Sequence, residues 1–141
     1  GLSYTSFTWE HPRISDGETG TDGSVEVSVE VVNTGERAGA EVVQLYLHDP
    51  VAQVTRPVVR LVGYGKVALA PGERRTVGFT VHADLSSFTG RDGRRVVEPG
   101  SLELRLGRSS ADVRAALALR LTGPPRVVGH DRRLASEVTY T

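Results

Sequence analysis

Asp92 and Glu98 stand six residues apart with Gly93 between them, a spacing that a hairpin can fold into two facing carboxyl groups, the pair that general acid–base chemistry uses. The Asp-Gly step is also ordinary turn chemistry, and a solvated turn is the stronger reading of both residues. His82, Asp84 and Ser86 supply the residue types of a base, an orienting acid and a nucleophile. Set two apart on one strand they fan out in a row, whereas a working triad brings its groups together from separate elements with the His in the middle. Asp84 reads better as the cap of a short helical turn within HADLSSF. The acidic run DGETGTDG, residues 16–23, has the composition of a calcium loop. Its fifth position is Gly20, and Val27 stands where the bidentate Glu belongs, so it reads as a solvated hairpin loop. His11, His48, His82 and His130 are scattered without metal-ligand spacing, and there is no Cys. No catalytic, cofactor-binding or metal-ligating residue is assigned from these patterns, and no cofactor is expected.

The scaffold that must carry these residues is bounded by composition. A chain of 141 residues is long enough for one domain with a real core, and no apolar run approaches the ~20 residues of a helical membrane span. Seventeen basic and seventeen acidic side chains leave no net charge, so no long-range field draws nucleic acid or an acidic membrane, and neither is expected as a partner. The absence of Cys removes disulfides and thiolate catalysis and leaves the compartment open. The chain has no Met and opens on GLSYTSF, which reads as the middle of something: a piece of a longer polypeptide is expected.

Hydrophobic periodicity is two nearly everywhere. VEVSVEVVN places Val25, Val27, Val29 and Val31 on one face and Glu26, Ser28 and Glu30 on the other, a half-buried strand. Asn33-Thr34-Gly35 supplies a turn, and AEVVQLYLHDP resumes with Val43, Leu45 and Leu47 opposite Val42, Gln44 and Tyr46 until Asp49-Pro50 ends it. VVRLVGYGKVALA predicts a further strand with bulges or bends at Gly63 and Gly65, and Pro71-Gly72-Glu73 the next turn. Val77, Phe79 and Val81, then Leu102, Leu104 and Leu106, then Leu117, Leu119 and Leu121 complete the inward set. Short strands with turn chemistry between them predict an all-β chain, a two-sheet antiparallel β-sandwich over residues 1–122. After Gly123-Pro124-Pro125, residues 123–141 are polar and aperiodic and are expected to form an irregular tail or linker.

The strings NTGERAGAEVVQLYLHDP, RPVVRLVGYGKVALAPGE, VEPG and LGRSSADVR resemble the fibronectin type III-like domain at the C-terminus of glycoside hydrolase family 3 enzymes. The match covers nearly all of residues 1–122 and is carried by Asn33, Gly35, Glu41, Gln44, Tyr46, Asp49 and Pro50, by Arg56, Pro57, Gly63, Tyr64 and Lys66, and by Glu98, Pro99, Gly100 and Asp112. Leu102 departs from it, since the family often has an aromatic there. The resemblance implies a fibronectin type III/immunoglobulin-like sandwich within a retaining β-glycosidase of β-xylosidase or β-glucosidase type. It also implies that the Asp nucleophile and the acid/base carboxylate lie upstream, on a (β/α)8 barrel and an α/β sandwich. Those two domains are the expected partners, with substrate sugar at most peripheral.

What this chain itself contributes is then contact. Tyr4, Phe7 and Trp9 read as an aromatic stripe on the entry strand, and with Asp49, Arg56 and Pro57 of the DPVAQVTRP loop they form the expected interdomain surface. The competing assignment for the aromatics is core, and for Arg56 an exposed side chain before a rigid Pro. The alternatives for the whole chain are a carbohydrate-binding module, for which eight aromatics leave few for a stacking platform, and an adhesive β-sandwich.

Overall fold

The computed structural model describes residues 5–49, 58–90, 92–129 and 131–141. Alternating patterns become strands: β1 Phe7–Ile14, β2 Glu18–Gly20, β3 Ser24–Asn33, β4 Gly39–Asp49, β5 Val58–Leu69, β6 Arg74–His82, β7 Phe88–Thr89, β8 Arg95–Val97, β9 Gly100–Ser109, β10 Asp112–Thr122, β11 Arg126–Val127 and β12 Glu137–Tyr140. A four-stranded sheet in the order β1-β3-β6-β12 faces a five-stranded sheet in the order β2-β10-β9-β4-β5. The small sheet β11-β8-β7 lies outside the pair, and β2 runs parallel to β10 in an otherwise antiparallel sandwich. No described helix is long and apolar enough to cross a membrane.

The core is the inward set that periodicity predicts. Val25, Val27, Val29, Val31, Val77, Phe79 and Val81 of one sheet pack against Val43, Leu45, Leu47, Leu102, Leu104, Leu106, Leu119 and Leu121 of the other, all buried. Leu117 alone of that set is half-buried, packed at the margin. Leu102, the position that departs from the resemblance, is buried and fills its inward place as a Leu.

Two loops are held by buried polar groups. Asn33 donates from Nδ2 to the Arg37 and Leu69 carbonyls at 2.8 and 3.0 Å, and its Oδ1 accepts from the Thr5 hydroxyl and the Gly35 N–H, so one side chain makes four of the bonds that hold the turn. The helical turn expected in HADLSSF is a 3-10 turn over Ala83–Ser86, but its cap is His82 rather than Asp84: the His82 Nδ1 accepts the Asp84 N–H at 3.0 Å. The run at 16–23 is likewise not all solvated loop. Glu18–Gly20 pairs with Arg120–Thr122, and Thr21 is buried with its hydroxyl on the Pro124 carbonyl.

Residues 123–141, expected as an irregular tail or linker, are irregular only in part. β11 pairs with β8 and β12 pairs with β6 in the register Val138↔Phe79, while Ser136 N–H donates to the Val62 carbonyl of β5 at 2.7 Å. The segment therefore spans the seam between the two sheets. Gly65 explains how β12 fits: a Cβ there would lie 3.1 Å from Val138 and 3.2 Å from the Tyr140 hydroxyl. Hydropathy is blind to this docking because it runs through backbone bonds and charged side chains.

Candidate functional site

The β7–β8 hairpin brings Asp92 and Glu98 to one cleft of about 390 Å³, with Gly90, Arg94, Val96, Pro125 and Val127 as its other walls. Arg94 occupies Asp92: its Nε lies 2.7 Å from Oδ2 and its backbone N–H 3.1 Å from Oδ1. Those bonds hold the exposed Asp92 carboxyl below its ordinary value. A proton donor in acid–base hydrolysis needs the opposite shift, so Asp92 is the wrong kind of carboxylate for that role. Glu98 also borders a second cleft, of about 220 Å³, with Asp49, Pro99, Gly100, Ser101 and Leu102.

His82, Asp84 and Ser86 do meet, and not as a triad. Ser86 Oγ donates to the Ala83 carbonyl at 2.7 Å, and His82 Nδ1 is spent as the cap acceptor, 3.3 Å from Asp84 Oδ1. Asp84 instead clasps the C-terminal segment. It accepts from Arg126 Nη2 and, at 3.0 Å, from the Arg133 N–H, while Arg126 also donates to the Thr21 carbonyl. Burial alone would raise the Asp84 carboxyl; the bonds from Arg126 and Arg133 and the neighbouring charge of Arg126 outweigh it and hold the group below its ordinary value. Next to this clasp, Arg60 Nη2 donates to the Leu85 and Ser87 carbonyls at 2.9 Å, and Arg95 reaches the same Ser87 carbonyl at 3.0 Å. Burial and then the Arg95 charge push the Arg60 guanidinium below its usual range.

Of the expected contact residues, Tyr4, Arg56 and Pro57 lie outside the described residues. Phe7 and Trp9 share a face of β1, paired with Asn33 and Val31, and lean half-buried against the core. Tyr4, three before Phe7, falls out of that period. Asp49 closes β4 at the smaller cleft. Trp9 is tied from both sides: its Nε1–H donates to Glu41 Oε2 at 3.1 Å, and the Arg114 guanidinium lies 5.7 Å from the ring centroid. Glu41, 2% exposed, also accepts from Arg108 Nε at 2.9 Å. Sequence reasoning missed this network because its members are distant in the chain and meet only through strand pairing.

It missed a second juxtaposition for the same reason. Register sets Glu10 opposite Glu30, and with His11 their ligand-type atoms fall within 4.8 Å of one another. Arg74 pairs with both carboxylates, 3.7 Å from Glu10, which offsets the repulsion of like charges facing across a strand pair. His11 stands at φ +52° where the β1 register shifts before Pro12.

Among the described residues the arrangement therefore offers carboxylates pinned by arginines and loops closed by hydrogen bonds. Residues 41–110 match the model of the fibronectin type III-like domain. The chain carries a fibronectin type III-like domain. It is 43% identical over 114 residues to a periplasmic β-glucosidase of Salmonella typhimurium, covering 81% of this chain and 15% of that protein. It is 41% identical over 110 residues to a β-xylosidase of Formosa agariphila, covering 78% of this chain and 15% of that one. The crystal structure of a Bifidobacterium adolescentis GH3 β-glucosidase superposes with a TM-score of 0.76 at 30% identity, covering 86% of this chain and 18% of that chain. The chain thus spans less than a fifth of the relatives it matches.

Proposed function

We propose that this domain is the noncatalytic structural module of a retaining β-glycosidase of glycoside hydrolase family 3, a β-glucosidase or β-xylosidase, docked on and stabilising the catalytic barrel and α/β sandwich of the same protein. The supporting observation is a mismatch of scale: relatives named for glycoside hydrolysis are more than five times longer than the part matched here, while Asp92, one of the two carboxylates lining the β7–β8 cleft, is pinned by Arg94. In this reading both catalytic carboxyl groups belong to the rest of the polypeptide, and Asp49, Arg56 and Pro57 stand at the boundary.

The test is made on the full-length protein. It is expected to release p-nitrophenol from an aryl β-glucoside or β-xyloside with retention at the anomeric carbon, and Arg56→Ala is expected to shorten the half-life of that activity on heating without changing kcat. A full-length protein that hydrolyses neither substrate, or an Arg56→Ala variant with unaltered heat inactivation, contradicts respectively the activity and the boundary assigned to it.

A further inference from the structure

β5 reverses its own alternation halfway along. From Leu69 through Val67, Gly65 and Gly63 the odd positions face the core, and unbroken alternation would carry Leu61 and Val59 inward while leaving Val62 and Arg60 outside. The register with β4 slips there instead: Leu45 pairs with Gly63 and Tyr46 with Leu61, so Val62 is an extra, buried residue. The bulge turns Arg60 toward the Leu85 and Ser87 carbonyls and turns Leu61 and Val59 outward, 51% and 45% exposed. A free surface selects the opposite arrangement, since burying a guanidinium is costly and Arg60 Nε is left without a hydrogen-bond partner. Bulges re-aim side chains next to functional surfaces, and this one aims apolar groups at solvent.

The residues it turns out are contiguous with Tyr64, which faces outward on the regular part of the strand. Val59 lies opposite His48, Leu61 opposite Tyr46 and Tyr64 opposite Gln44, with Tyr64 51% exposed. Beyond them on the same sheet, the ion-paired Glu103 and Arg105 form a polar margin, Arg105 also reaching His48 at 3.2 Å. An apolar centre with a hydrogen-bonding rim is the anatomy of a docking surface between protein parts. The outer face of the other sheet carries Glu26, Ser28, Glu30, Thr76 and Thr80 and has no such centre among the described residues.

We infer that the stripe of Val59, Leu61 and Tyr64, flanked by Tyr46, is the face on which the rest of the same polypeptide docks, through an apolar patch with hydrogen-bonding groups around it. The occupant is argued from length: in the matched relatives more than four-fifths of the chain lies outside this domain, so covering protein is tethered to it at high local concentration. The inference rests on the module reading above and adds to it which face is used.

Hydroxyl-radical footprinting of the full-length protein tests it, read by mass spectrometry at Leu61 and Tyr64 against Leu134 and Val113, which are exposed elsewhere on the domain. After correction for intrinsic reactivity, Leu61 and Tyr64 are expected to be oxidised several-fold more slowly than Leu134 at every protein concentration, and Leu61→Lys is expected to restore oxidation at Tyr64. Oxidation of the stripe at the rate its exposure dictates overturns the proposal. Protection that disappears on dilution assigns the face to a second copy, and protection that requires added cello- or xylo-oligosaccharide assigns it to sugar; both overturn it too. Hydrolysis of the aryl glycosides is scored separately, so an inactive protein with a protected stripe counts against the module reading alone.

Discussion

The four-stranded sheet and the five-stranded sheet present the same inner surface, Val27, Val77 and Phe79 against Leu45, Leu47 and Leu104, and opposite outer ones. Outside, the first carries Glu26, Ser28 and Glu30, with Arg74 paired to the facing acids Glu10 and Glu30. The second carries Tyr64 together with Val59 and Leu61, the latter two put there by a bulge that half-buries an arginine. Inner faces are dictated by the need to bury apolar area, so they teach the fold. Outer faces are under no such demand, and the one that departs from the polar norm is where a role beyond folding is to be sought.

The comparison can be broken first at the inner surface, where both sheets depend on the same residue. Phe79→Ala is expected to cost about 3–5 kcal/mol in denaturant unfolding followed by Trp9 fluorescence, with no difference in which outer face is polar. Asp84→Asn comes next, at about 1.5–3 kcal/mol, because an amide has one acceptor oxygen for the two donors of Arg126 and Arg133 and no charge, which loosens the segment carrying β11 and β12. Its sign with pH is set by the depressed carboxyl: the contribution is complete above the unfolded value of about 4 and disappears as pH falls below it, so the variant should show a flatter acid limb than the parent. Gly63→Ala places a Cβ 2.8 Å from Phe79 Cδ1 and should cost about 1–3 kcal/mol while disturbing the bulge beside it. Leu61→Lys sharpens the comparison from the small end. It should change the unfolding of the domain alone by less than about 0.5 kcal/mol, as an exposed position allows, while the full-length protein loses heat stability.

Much of the core was legible in the sequence because alternation and burial are the same fact seen twice: fifteen of the sixteen inward residues are buried, and Leu117 is half-buried at the margin. The break in β5 near Gly63 was legible as a glycine signal, but not its direction, since which way a bulge turns the neighbouring side chains depends on the register with β4. His82 took the capping role expected of Asp84 because Asp84 was already bound to Arg126, forty-two residues away. Glu41, Trp9 and Arg108 form one network from three strands, and neither spacing nor composition reports such a meeting. The same holds for the segment at 123–141, whose polarity reads as solvation and serves instead to bond it to buried acceptors such as the Thr21 carbonyl.

The measurement that bears most directly on the central claim is the kcat of the full-length protein on an aryl β-glucoside or β-xyloside with Asp92→Asn and Glu98→Gln combined. A noncatalytic module predicts a value within about twofold of the parent. A fall of about 10²–10⁴, the size of effect that removing a general acid or base produces, would place the chemistry in this domain and contradict the account.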